Sequence, residues 1–256
     1  VLTFTEAQLV TWLSPLLWPF IRVLALFTAA PVFSLRAIPM RTKIGLAFFI
    51  SLAAQPSLVG QPIVDINSPQ AVGAVLQQVG VGLSIGFAVR LVFAAVELAG
   101  ELVGLQMGLN FAAFFDPSSN AQVSAVSRFL GHMATLMFVV INGHLMVLLA
   151  VIKSFDAFPT DGNILTMLAQ VKIYNLGSEL FSSALWIALP MIGLLLFVNL
   201  TLGIISRVAP QMNIYAIGFP ITLAMGLIGL TATLPMLDQP VLALMQKMID
   251  LFSATR

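Results

Sequence analysis

A folded chain faces water through charged residues, and this one has few. Lys, Arg, Asp and Glu make up 8% of its 256 residues and hydrophobic residues 59%, with a mean hydropathy of +1.04. A soluble domain carries roughly 25% charged residues. Most of the surface must therefore face lipid or other apolar protein, as in an integral membrane protein or a buried subunit of a membrane assembly.

Several function classes fall away at once. The formal net charge of +1 supplies no field that would gather nucleic acid. The absence of cysteine removes disulfides, thiolate catalysis and Cys-type metal sites together. His132 and His144 are the two histidines, too far apart in sequence for a metal-protease helix motif. No cofactor is expected. The first apolar stretch lacks a basic leader, carries Arg22 within it and has no small-x-small exit, so it reads as a permanent span.

A span needs about 20 apolar residues for a ~30 Å hydrocarbon core. Six stretches qualify: 8–33, 44–60, 71–96, 129–152, 180–205 and 214–237, the second being short and holding Pro56. The expected fold class is therefore all-α, with about six long apolar helices. Basic residues collect in 34–43 (Arg36, Arg41, Lys43) and 206–213 (Arg207), so the positive-inside bias places these turns in the cytoplasm and both termini outside. The end of the chain differs in kind. Leu237, Val241, Leu244, Met248 and Leu251 recur at helical spacing with Lys247 and Asp250 off the stripe, which predicts an amphipathic helix over 238–256. Its apolar face could lie on a membrane, on a partner or on this same subunit.

Between Pro69 and Pro117 there is no proline. A helix running that whole way would reach about 70 Å, so it either breaks near the glycines at 100–108 or projects beyond a bilayer. Glycines repeat along it at four-residue spacing: Gly82 and Gly86, then Gly100, Gly104 and Gly108. In lipid such stripes permit close backbone approach and predict tight helix packing, against this chain or another. Gly82–Gly86 also spells GxSxG around Ser84, but a nucleophile elbow needs a strand-to-helix turn. Arg22, Arg90, Glu97, Glu101 and Arg128 lie in or beside apolar stretches. Each such charge costs about 2.5–3.5 kcal/mol at a helix centre. Glu97 and Glu101, one turn apart, repel unless a cation intervenes. Ion pairs with other helices or subunits are expected, with proton relay as the alternative.

The segment 106–122 (QMGLNFAAFFDPSSNAQ) sets Phe111, Phe114 and Phe115 beside Asp116–Pro117–Ser118–Ser119–Asn120. Strong turn chemistry thus follows an aromatic cluster. Either a helix ends with its phenylalanines in the core, or a loop carries them into a constriction, since irregular backbone at membrane depth must be buried or line a cavity.

Four stretches in order, APVFSLRAIPMRTKIGLA (30–47), GLQMGLNFAAFFDPSSN (104–120), GH (143–144) leading to KSFDAFP (153–159), and GIISRVAPQMNIYAIGFP (203–220), resemble the FliR family of type III secretion export-gate components. The last stretch is the most specific and lies nearer the flagellar than the virulence branch. The resemblance implies a non-enzymatic subunit of the inner membrane at the flagellar basal body. It implies a FliP-like portion over 1–178 joined to a FliQ-like helical hairpin over 179–256. Its partners would be FliP-like, FliQ-like and FlhB-like subunits, unfolded export substrates and membrane lipid. Carried onto these residues, Phe111, Phe114, Phe115, Asp116 and Pro117 would form a plug. Arg207, Pro210, Gln211 and Asn213 would form a cytoplasm-facing turn near the FlhB-like subunit.

Two alternatives come from the residues alone. A secondary transporter would use Arg90, Glu97 and Glu101 and behave as a stable lone protein with substrate uptake. An intramembrane serine protease would use Ser84 with His132 or His144 and react with a serine-directed probe.

Overall fold

The computed structural model describes residues 6–60, 62, 64–109, 124–160, 173–211 and 214–253. Among these the chain is all-α. Eight α-helices follow one another: α1 Glu6–Ala29, α2 Met40–Ala54, α3 Gln70–Gln106, α4 Ala125–Val140, α5 Gly143–Ala157, α6 Ile173–Val208, α7 Ile214–Thr233 and α8 Asp238–Asp250, with short 3-10 turns at Gln55–Leu58 and Leu234–Met236.

Four of these helices are long and apolar enough to cross a membrane, or five if the broken pair α4–α5 counts as one span. The expected six are reduced at two places. The 44–60 stretch forms α2, whose 15 residues rise only about 22 Å, before Pro56 ends it in a 3-10 turn. The 129–152 stretch breaks at Asn142, which takes a left-handed conformation (φ 56°, ψ 31°) and caps α5. Asn is among the few non-glycine residues at ease there, because its short polar side chain tolerates the Cβ crowding. Asn142→Val is expected to cost about 1–2 kcal/mol and Asn142→Gly almost nothing, measured by thermal unfolding in detergent. Four spans would keep both termini on one side of a membrane, as the basic turns predict, and a fifth would place them on opposite sides.

The overlong stretch resolves into α3, whose 37 residues rise about 55 Å. It ends at the glycines. Gly108 takes φ 80°, its N–H bonds to the Leu105 carbonyl at 3.1 Å and that of Leu109 to the Gly104 carbonyl at 3.1 Å. This is a Schellman end, which satisfies the last carbonyls and needs a left-handed residue at that position. The C-terminal stripe is buried within this chain: Leu237, Val241, Leu244, Met245, Met248 and Phe252 are covered, while Leu251 is exposed. The helix turns one residue beyond the expected register, so Phe252 takes the place assigned to Leu251.

The chain divides into two compact units that interleave along the sequence: Val1–Leu91, Asn142–Leu176 and Met245–Arg256 form the first, and Val92–Ile141 and Gly177–Leu244 the second.

In the first unit, α1 and α3 meet through the glycines. A Cβ on Gly82 would lie 2.9 Å from the Ala25 Cβ and closer still to the Arg22 carbonyl, and one on Gly86 would lie 2.6 Å from the Ala29 Cβ. The GxxxG pair therefore meets this chain's own first helix. Pro15 and Pro19 both lie inside α1. Pro19 has no N–H for the Pro15 carbonyl one turn back, and the Gln55 amide donates to that carbonyl instead, at 2.8 Å. The Trp18 indole N–H donates to the Val64 carbonyl at 3.2 Å, holding Val64 against α1.

In the second unit, Phe93 of α3 and Phe138 of α4 pack at 5.4 Å between ring centroids, and both are buried. The Met107 side chain lies over Gly226 of α7, where an added Cβ would stand 2.5 Å from the methionine Cε.

Candidate functional site

The aromatic segment is best approached from its two ends. Phe111, Phe114, Phe115, Asp116 and Pro117 lie outside the described residues; the flanks of 110–123 are the end of α3 and the start of α4. On the α3 side stands the Gly108 cap, with Met107 fully buried and its carbonyl accepting from the Thr222 hydroxyl of α7 at 3.5 Å. On the α4 side Ser124 is the N-cap, its Oγ accepting from the Ser127 N–H at 3.0 Å. A serine oxygen there satisfies one of the free N–H groups of the first turn.

The two flanks are bonded to each other. The Ser124 N–H donates to the Glu101 carboxylate at 3.0 Å. The Ser124 hydroxyl reaches the Gly100 carbonyl at 3.4 Å, and that of Ser127 the Glu97 carbonyl at 2.7 Å. Gly100 lets this happen: a Cβ there would lie 2.6 Å from the Ser127 Cα. Of the glycine series, then, Gly100 serves the α3–α4 seam, Gly104 is buried and Gly108 ends the helix.

The charges separate into two kinds. Glu101 turns its carboxylate to the N-terminus of α4, where the aligned N–H groups favour an anion. Glu97 is exposed and lies alongside α4 further on, where a Cβ on Gly131 would stand 3.1 Å from its Cγ. Arg90 and Arg128 are exposed as well, and neither they nor Glu97 form an ion pair among the described residues. Arg207, Pro210 and Gln211 lie exposed at the end of α6 and the turn after it; Asn213 lies outside the described residues.

The sequence reading missed the partners of Arg22. This side chain is fully buried in α1, yet its partners are neutral: Nε donates to the Gln78 Oε1 at 2.7 Å, Nη1 to the Ser154 Oγ at 2.8 Å and Nη2 to the Phe158 carbonyl at 2.6 Å. Its Cζ stands 3.5 Å from the centroid of the Phe155 ring. The Ser154 hydroxyl spends its proton on the Val151 carbonyl, at 2.6 Å, leaving a lone pair for the arginine. Phe158 is the C-cap of α5, so the cation sits at the negative end of that helix. A helix terminus and a π face thus do the work expected of a carboxylate. The clue in the sequence was a lone arginine in one apolar stretch and glutamines, Gln77–Gln78, in another. Their spacing in the chain could not reveal that they meet.

A cavity of about 300 Å³ in the first unit is lined by Pro15, Trp18, Pro19, Leu58, Val59 and Phe155, with Gln55 and Thr160 among its polar members. None of Arg90, Glu97 and Glu101 lines it, as a transporter reading would require. Ser84 lies in the middle of α3, and no strand occurs among the described residues, so the GxSxG pattern has no elbow to sit on. No cluster of potential metal ligands occurs among the described residues.

Residues 13–248 match the family model described as bacterial export proteins, family 1. The chain is 41% identical over 255 residues to the flagellar biosynthetic protein FliR of Pectobacterium carotovorum subsp. carotovorum, covering 99% of this chain and 97% of that one. It is 40% identical to the FliR of Escherichia coli K12, over 93% of this chain and 90% of the other. To that of Bacillus subtilis it is 31% identical, over 82% of each. Matched over residues 13–248 by the family model and over nearly their full length by these relatives, the chain belongs to family 1 of the bacterial export proteins, that of FliR, as a component of the flagellar export apparatus.

Proposed function

We propose that this chain is a non-enzymatic subunit of the flagellar export gate, in the inner membrane at the basal body. With FliP-like and FliQ-like subunits, and an FlhB-like subunit at the turn near Arg207, it forms the passage for unfolded export substrates. The segment 106–122 acts as the plug. The observation that carries the reading is the similarity to FliR proteins over nearly the full length of both chains.

The surface of α6 supports a shared role. Phe181, Trp186, Phe197 and Leu200 are 67%, 72%, 71% and 63% exposed along it, an apolar face that only lipid or sister subunits can cover. The exposed Arg90, Glu97 and Arg128 call for polar or oppositely charged partners on those subunits. The plug follows from physical chemistry. Phenylalanines in a narrow passage exclude water, and a dry constriction blocks ions and small solutes.

Replacing Phe114 and Phe115 by alanine, or deleting 111–117, is expected to raise ion and dye leak through the assembled gate while its subunits still co-purify. Unchanged permeability with intact assembly removes the plug. Purified without FliP-like and FliQ-like subunits, the chain is expected to aggregate; a monodisperse monomer that takes up a metabolite would overturn the whole reading.

A further inference from the structure

α2 is too short to cross a bilayer, but it matches half of one. Its buried residues, Ala47, Ser51 and Ala54, lie on one side, where it packs on α1. Positions 41, 45, 48, 49 and 52 recur at helical spacing on the opposite side. Phe48, Phe49 and Leu52 are exposed there. Gly45 has nothing within 4 Å of an added Cβ, which leaves a notch between Arg41 and the phenylalanines. From Arg41 to Leu52 the helix rises about 16 Å, close to the depth of one leaflet of a ~30 Å hydrocarbon core.

Charge gathers at one end of this face. Arg36 and Arg41 are exposed and Lys43 is half-buried, and none of the three has an ion pair or a side-chain hydrogen bond among the described residues. No Asp or Glu occurs between Glu6 and Asp65, so this part of the chain offers them no counter-charge. Three bases, then a notch, then apolar surface repeat in order the phosphate, glycerol and acyl chain of a phospholipid. The positive-inside bias assigns 34–43 to the cytoplasmic side, where anionic headgroups attract such bases.

We propose that this face of α2 seats one anionic phospholipid of the cytoplasmic leaflet. Its phosphate lies among Arg36, Arg41 and Lys43, and an acyl chain crosses Gly45 to rest on Phe48, Phe49 and Leu52. The site rests on the membrane setting of the chain and is independent of the plug.

The test uses the full chain in its assembled complex, stripped of lipid in detergent and given phosphatidylglycerol or phosphatidylcholine with the same acyl chains. Bound lipid is counted by native mass spectrometry. The wild type is expected to hold phosphatidylglycerol more tightly than phosphatidylcholine. Arg41→Gln with Lys43→Gln is expected to weaken phosphatidylglycerol binding about 25-fold, roughly fivefold for each base, and to leave phosphatidylcholine binding as it was. Gly45→Leu fills the notch without meeting this chain and is expected to weaken binding of both lipids. Equal affinity of the wild type for the two lipids overturns the proposal, as does phosphatidylglycerol binding that neither variant changes. Loss of co-purifying subunits from the double variant, with phosphatidylglycerol binding intact, would instead assign the face to a protein partner. Leak after deletion of 111–117 bears on the plug alone and does not enter this measurement.

Discussion

Arg22→Ala is expected to destabilise the protein by about 3–5 kcal/mol, the upper range for a single substitution. Truncation leaves the Gln78 Oε1, the Ser154 Oγ and the Phe158 carbonyl without their donor. Each buried unsatisfied group costs about 1–3 kcal/mol. The interaction with Phe155 disappears as well, and a void replaces a large side chain. Arg22→Lys is expected to recover only part of the loss. An ammonium keeps the charge at the end of α5, but it cannot spread donors in a flat fork to three acceptors on two helices and a helix cap. Unfolding of the assembled complex in detergent, followed by heat or SDS titration, measures both. An alanine variant as stable as the parent would show that the buried cation is dispensable.

The second large effect is expected at the α1–α3 seam. Gly82→Ala and Gly86→Ala each place a Cβ against atoms that cannot swing away, the Arg22 and Leu26 backbone among them. Overpacking of this kind costs about 1–3 kcal/mol, partly offset by a helix-propensity gain of roughly 1 kcal/mol. Leucine at either position should cost more and lower the yield of complex. The double alanine variant is expected to cost less than the sum of the two, because displacing α1 once relieves both contacts. Gly73→Ala is the internal control. It lies on the same helix with nothing within 4 Å of its added Cβ, so it should be neutral or slightly stabilising. Equal losses at positions 73, 82 and 86 would mean that backbone freedom, and not close approach, explains the glycines.

These expectations also mark where sequence reasoning stopped. Gly108 shares the four-residue spacing of Gly82 and Gly86, which predicts a packing residue. In the structure it ends α3 with a positive φ, a role visible in the sequence only to a reader who already knew the helix stopped there. The same holds for the charges. Arg90, Glu97, Glu101 and Arg128 share one expectation, ion pairs with another helix or another subunit. Glu101 instead caps a helix 23 residues away, while the other three remain on the surface. Two expected spans were apolar enough but not continuous, because apolar composition sets affinity for lipid and says little about where one asparagine will turn the backbone.

From its residues alone, this chain was bound to be all-α, membrane-associated and built around apolar helices, because a surface so poor in charge has few ways to satisfy its backbone outside water. Its resemblance to the FliR family was equally legible, since order and spacing of motifs survive in the linear text. Which groups meet was decided only in three dimensions. The contact of Arg22 with Ser154 spans 132 positions, and that of Ser127 with the Glu97 carbonyl spans 30. Local pattern fixes the face a residue occupies, but the neighbour across that face is chosen by the packing of whole helices.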